Sequence, residues 1–189
     1  MSREAHAATT QVSDPIADLI AARAYRDAAA ACARLHGPSL GRLCMAMLGA
    51  QAEAEEVAQD TLLAAHDAMS SYRGEGSVRA WLFGIARRLC ARRLETRAAH
   101  ERRLRLVHDV DAEAGLPEER VEARRRALRV REALERLKPS EREALLLRYE
   151  ADLSFREIGH ALGIDEPAAR KRASRALDRL RTLLSGENP

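Results

Sequence analysis

Near the C-terminus, Arg170, Lys171, Arg172, Ser174 and Arg175 put four cations and a hydroxyl within six positions. Such groups suit phosphate oxygens, and a guanidinium fork matches the acceptors on the major-groove edge of guanine. Whether they act together depends on the element that carries them. Projected at about 100° per residue, the segment is a helix with Ala169, Ala173, Ala176, Leu177 and Leu180 on one face. Lys171, Arg172, Ser174, Arg175 and Arg179 fall opposite, with Arg170 at the margin. The small residues allow close packing on a partner helix while the cations face outward. A merely solvated basic face on an ordinary helical hairpin is the plainer alternative.

The residues upstream favour the first reading. Ser154-Phe155-Arg156-Glu157 reads as a capping box opening a short helix with Ile158 and Leu162. Gly163-Ile164 makes a tight turn, and Asp165 caps the last helix with Pro167 in its first turn. Short helix, glycine turn and longer helix form a helix-turn-helix over Leu153 to Leu180. Before it, a helix with Ala127, Val130, Leu134 and Leu137 ends at Pro139. Ser140-Glu141-Arg142-Glu143 then predicts a second capping box, opening a helix with Leu145, Leu146 and Leu147.

In the other half, residues 1–13 form an aperiodic tail, and Asp14-Pro15 caps a helical stretch, unbroken or broken once, that runs to about Leu35, where His36-Gly37-Pro38 ends it. The next helix carries Leu40, Leu43, Cys44, Met47 and Leu48 and stops at Gly49. From Ala52 to about Met69, apolar residues recur at helical spacing, while Glu53, Glu56 and Asp60 share another side flanked by Glu55 and Gln59. The loop Ser70 to Ser77 contains two glycines. A long helix from Val78 to roughly Leu106 follows, with Trp81, Leu82, Ile85, Leu89 and Cys90 as its apolar stripe. Arg87, Arg88, Arg92, Arg93 and Arg97 lie outside that stripe. The acidic, breaker-containing stretch 107–120 is the natural linker.

Across 189 residues, aromatics make up 3% and charged residues 32%, an alphabet that favours helix over sheet. The fold class is all-α, with two small helical domains over 14–106 and 121–184 and a tail at 185–189. The net charge of +3 confines any affinity for nucleic acid to local patches. Cys32, Cys44 and Cys90 are far apart and form no C-x-x-C pair, which fits buried thiols in a reducing cytoplasm. No signal peptide and no bilayer-spanning run is expected, so neither is membrane insertion. The histidines are scattered, and no H-E-x-x-H motif, glycine-rich phosphate loop or Ser/His/Asp set can be assembled. No catalytic residues, metal or cofactor are expected.

The stretch from Ala133 to Tyr149, followed by Leu153-Ser154-Phe155-Arg156-Glu157-Ile158, resembles region 4 of the extracytoplasmic-function sigma factors, in the sigma-70 family. Ala54-Glu55-Glu56-Val57-Ala58-Gln59-Asp60-Thr61-Leu62 resembles their region 2.2. Arg79-Ala80-Trp81-Leu82-Phe83-Gly84-Ile85-Ala86-Arg87 resembles the motif after their promoter-melting loop. The resemblance covers about 15–100 and 125–184, in the family's order. It implies a non-enzymatic protein that carries RNA polymerase core to promoter DNA and helps to open it.

The resemblance also implies roles. Glu55, Glu56, Gln59 and Asp60 would meet the polymerase clamp helices, and an acidic face suits a basic helical partner. The loop Ser70 to Ser77 would hold an unstacked −10 base. Tyr72 is a candidate for stacking, Trp81 is better placed as a core anchor, and Arg73, Arg79, Arg87, Arg88 and Arg92 are candidates for backbone phosphates. Arg170, Lys171, Arg172, Ser174 and Arg175 would read the −35 duplex, and the surface near Leu145 to Tyr149 would seat the polymerase flap. A cognate anti-sigma factor is the expected regulator. The sequence departs from the family pattern at Ala29, Ala33 and His36, commonly aromatic; at Arg88 and Arg92, in place of asparagine and aspartate; and at Ala168, in place of a hydroxyl residue. The rival readings are a helix-turn-helix regulator that acts without polymerase recruitment, and a helical adaptor whose basic patches are only surface.

Overall fold

The computed structural model describes residues 14–104 and 118–186, so the tail 1–13, most of the linker and the last three residues lie outside the described residues. The N-terminal module consists of α1 (Pro15–Ala21), α2 (Tyr25–Leu48), α3 (Gln51–Ala68), a 3-10 turn (Met69–Ser71) and α4 (Val78–Leu104). The C-terminal module consists of α5 (Glu118–Glu135), α6 (Pro139–Tyr149), α7 (Phe155–Leu162) and α8 (Glu166–Ser185). No strand occurs among the described residues.

Local signals explain most boundaries. Asp14 accepts the Ile16 N–H at 3.0 Å and Pro15 stands at the first helical position, where its missing N–H costs nothing. The chain breaks at Ala22 to Ala24, with Arg23 at φ 59, before α2 begins. Two boundaries differ from the sequence expectation. Helix α2 runs through His36-Gly37-Pro38 without ending. Pro38 removes one rung of the hydrogen-bond ladder, but fully buried Cys32 and Leu40 on either side fix both halves to the core. In α6, Ser140 is not the cap. The helix starts at Pro139 with Lys138 as N-cap and no side-chain capping bond, because proline's fixed φ suits the first turn and draws Ser140 inside. Glu143 has no capping role and pairs instead with Arg87.

The core has three parts. Ile16, Ile20, Cys32, Met69, Val78 and Leu82 close the N-terminal module between α1, α2 and α4. Leu137, in the turn after α5, packs with Leu145 and Ala176, and Leu134 brings α5 against them, joining α5, α6 and α8. The third part is shared by the modules: Leu40, Leu43, Cys44, Phe83, Ala86 and Cys90 pack in one cluster with Leu146, Leu147, Leu153, Ile158 and Ala161. This explains why α4 has so little amphipathic pattern. Its residues 82–86 are all buried, some under α2 and others under α7. It also corrects the flap seat, since Leu145, Leu146 and Leu147 are buried and only Tyr149 of that surface stands out, 60% exposed.

Candidate functional site

The helix-turn-helix forms as its residues dictate. Ser154 accepts the Glu157 N–H at 3.2 Å while the Glu157 carboxylate accepts the Ser154 N–H at 2.9 Å, the reciprocal capping box. Gly163 ends α7 in the left-handed conformation at φ 67, and Asp165 caps α8 through the Ala168 N–H at 2.7 Å. Ala169, Ala173 and Ala176 are buried, which holds α8 close to α6 and α7. On the opposite side, Arg170, Lys171, Ser174 and Arg175 are exposed and line one open cleft with Glu166 and Pro167. Arg170 is oriented by Glu166 at 2.8 Å and lies 5.0 Å over the Phe155 ring. Arg172 is half-buried and does not line that cleft. Arg179, projected onto the same face, instead pairs with the buried Glu141 of α6 at 2.9 Å.

On α3, the buried Ala54, Val57, Thr61 and Ala65 turn inward. Glu55, Glu56, Gln59 and Asp60 are all exposed. Two arginines of α4 brace this helix: Arg93 reaches Glu56 at 2.9 Å and Arg97 reaches Glu53 at 3.4 Å. The Arg93 guanidinium holds the Glu56 carboxyl below its ordinary range, by hydrogen bond first and by charge second. Leu63 stands 64% exposed one turn from Gln59 and Asp60. Sequence reading missed it, although an apolar residue spaced three and four from two polar-face positions was the available signal.

The loop and α4 behave differently. The Tyr72 hydroxyl donates to the Gly76 carbonyl at 2.8 Å, and its ring packs against Trp81 with centroids 5.2 Å apart. Both aromatics thus serve the N-terminal core, and Tyr72 is half-buried. Arg73, Arg88 and Arg92 are exposed. Arg79 donates to the Ala151 carbonyl of the other module, and Arg87 pairs with Glu143 of α6 at 3.1 Å. Although Arg88 is exposed overall, partial desolvation of its guanidinium, and then the adjacent Arg87 charge, lower its pKa. The structure therefore gathers the α8 and α3 sets on open faces and splits the α4 set between solvent and the second module.

Cys32, Cys44 and Cys90 are all fully buried. Burial, then Asp14, push the Cys32 thiol up to about 11, and the Cys44 hydrogen bond together with burial raises Cys90. No group of His, Cys, Asp and Glu among the described residues could hold a metal ion.

Comparison with known proteins decides what these faces belong to. Residues 32–100 match sigma-70 region 2, and residues 127–180 match sigma-70 region 4. The chain is 30% identical over 151 residues to the ECF RNA polymerase sigma factor SigM of Mycobacterium tuberculosis, covering 80% of this chain and 74% of SigM. The chain belongs to the extracytoplasmic-function sigma factors. As such it directs RNA polymerase to promoters in transcription initiation, and a regulator acting without polymerase is not favoured. Two solved structures share the fold. CnrH in complex with the cytosolic domain of CnrY matches at TM-score 0.66 and 24% identity, over 92% of this chain and 99% of CnrH. The sigma factor RpoE in complex with the anti-sigma factor NepR, from Bartonella quintana, matches at TM-score 0.62 and 24% identity, over 82% and 96%.

Proposed function

We propose that this sigma factor divides its task between its modules. The exposed face of α3, with Glu55, Glu56, Gln59 and Asp60, docks on the polymerase core, and Leu63 adds an apolar anchor beside the charges. Tyr72, Arg73, Arg79, Arg87, Arg88 and Arg92 serve the opened −10 strand. Arg170, Lys171, Arg172, Ser174 and Arg175 serve the −35 duplex. Opening needs no nucleotide hydrolysis, because binding of the unpaired strand offsets the lost pairing. The modules correspond to 14–106 and 121–184 with a linker over 107–120, a division that the region 2 and region 4 matches support.

The observation that carries the reading is α8: Arg170, Lys171, Ser174 and Arg175, with Glu166 and Pro167, line an open cleft on the face opposite three buried alanines. A helix so built fits its small-residue side to its own module and leaves its cations for a groove. We further propose that the chain acts without catalysis of its own, in the cytoplasm, and is held by a cognate anti-sigma factor. The complex of RpoE with NepR supports the last point. No helix among the described residues is long and apolar enough to cross a membrane. Run-off transcription with core polymerase, with and without the chain, on genomic promoter fragments tests the division. Transcripts that require the chain and fall with Lys171→Ala or Arg175→Ala support it. Transcripts indifferent to both substitutions contradict the −35 assignment.

A further inference from the structure

We infer that Cys44 and Cys90 form an oxidant-responsive thiol pair, which a hydroperoxide converts to a disulfide tying α2 to α4. The two residues are far apart in sequence, but α2 and α4 pack on one another and bring both into one cluster, each at 0% exposure. There the Cys90 thiol donates a hydrogen bond to the Cys44 sulfur. Leu40, Leu43 and Met47 of α2 and Phe83 and Ala86 of α4 share the cluster. A tetrahedral zinc centre needs four ligands, and no group of three or more His, Cys, Asp and Glu among the described residues could hold a metal. Two thiols in contact without further ligands are suited to a covalent bond instead.

The pair is asymmetric. The hydrogen bond from Cys90 holds the Cys44 thiol below its ordinary pKa against the opposing effect of burial, whereas that same bond, and then burial, push Cys90 up. Cys44 is therefore the nucleophile and Cys90 the resolving thiol. The Cys44 sulfur attacks one oxygen of the hydroperoxide and the O–O bond breaks. A sulfenic acid forms, and the departing oxygen takes the Cys44 proton. The Cys90 sulfur then attacks the Cys44 sulfur, the S–O bond breaks, and hydroxide leaves with the Cys90 proton as water. The thiols lose two electrons and the hydroperoxide gains them.

Access comes through α2. Gly37, Pro38 and Gly41 stand inside this helix, where the proline removes one rung of the hydrogen-bond ladder and each glycine weakens it. Cys44 follows Gly41 by about one turn. Local opening of a helix built this way uncovers a thiol that the folded chain shields, and the disulfide then pins the weakened segment to α4. Cys32 stands apart from the pair. It packs in the separate cluster with Ile16 and Ile20 of α1, and burial, then Asp14, push its thiol up to about 11.

Thiol counting on the full chain tests the inference. The reduced chain is treated with hydrogen peroxide, quenched with catalase, unfolded in urea and alkylated with N-ethylmaleimide, then read by mass spectrometry. Three alkylated cysteines are expected before oxidation and Cys32 alone afterwards, with tryptic peptides joined through Cys44 and Cys90. Because the bond closes a long loop, the bonded chain is expected to melt about 5–15 °C above the reduced one, and dithiothreitol is expected to reverse both changes. Three thiols still alkylated after oxidation, a bridge between two chains, or Cys32 oxidised as fast as the pair overturns the inference. A bonded chain that melts no higher than the reduced one overturns the tie between the helices. Dimedone separates the roles of the two thiols: it should label Cys44 in Cys90→Ala and leave Cys90 unlabelled in Cys44→Ala. Label on Cys90 without label on Cys44 overturns the choice of nucleophile.

Discussion

Two helices of this sigma factor carry runs of arginine, and they differ in what the arginines touch. On α8, Arg170, Lys171 and Arg175 line an open cleft on the face opposite the buried alanines. On α4, Arg79 and Arg87 bind the second module, Arg93 and Arg97 brace α3, and Arg88 and Arg92 face solvent. Residue type and helical spacing are nearly the same in the two helices. The difference lies in the far side of each helix, which on α8 packs chiefly on α5, α6 and α7 of its own module and on α4 meets helices from both. A count of cations therefore says little until their partners are known.

The comparison breaks most severely if α4 loses the core beneath its arginines. Phe83 is fully buried in the shared cluster, and Phe83→Ala is expected to cost about 3–5 kcal/mol in urea unfolding. Arg175→Ala, on the exposed face, should change stability by less than about 0.5 kcal/mol. A small loss at Phe83 would mean that α4 is not the common floor of both modules. Next in size, Lys171→Ala or Arg175→Ala should weaken promoter binding by the holoenzyme by about 1–3 kcal/mol in a gel-shift titration. The salt dependence of duplex binding by the free chain sharpens the contrast further. Removing Lys171 should lower its log–log slope by about one, whereas Arg87→Ala should leave it unchanged because that guanidinium is already paired with Glu143. An equal drop for both would erase the distinction between open and occupied cations.

The smallest effect concerns pH. Burial alone would raise the Glu157 pKa, but the Ser154 N–H, the Ser77 and Ser154 hydroxyls and the Arg79 charge together hold it below its ordinary 4.5. A carboxyl with a lowered folded-state pKa contributes stability that is fully present above the unfolded value and is lost as pH falls through the folded one. For His36, burial first and Arg79 second lower the pKa from 6.5. The unfolded chain then binds the proton more readily, so stability falls as pH drops below about 6.5. Thermal melts should therefore show a shallow loss beginning below neutrality and a second loss below about pH 4.5, shared by Glu157 and Glu56 and made smaller by Glu157→Gln. A second loss of undiminished size in Glu157→Gln would remove that carboxylate from the account.

Much of this was legible in the residues. The cap at Asp14, the box at Ser154 and Glu157, the turn at Gly163 and the alanine face of α8 each follow from short-range rules, and the structure keeps all four. What escaped reading depends on contacts distant in sequence. Helix α2 continues through Pro38 because buried neighbours outweigh a missing hydrogen bond. Ser140 fails as a cap because Pro139 takes the first turn. Phe83, Gly84 and Ala86 are not part of the apolar stripe read for α4, yet all three are buried, Gly84 against Ala161, which is distant in sequence. The candidate site divided along the same line, with the exposed faces of α3 and α8 visible from periodicity and the occupied arginines of α4 not.

Permanganate footprinting on a promoter identified by run-off transcription tests the central claim most directly, because it reports unpaired thymines at −10 while nuclease protection reports the −35 duplex. The account predicts that the chain with core polymerase protects −35 and makes −10 thymines reactive, and that the chain alone leaves −10 unreactive. Reactive −10 thymines with the chain alone, or −35 protection by the holoenzyme without any opening at −10, would contradict it.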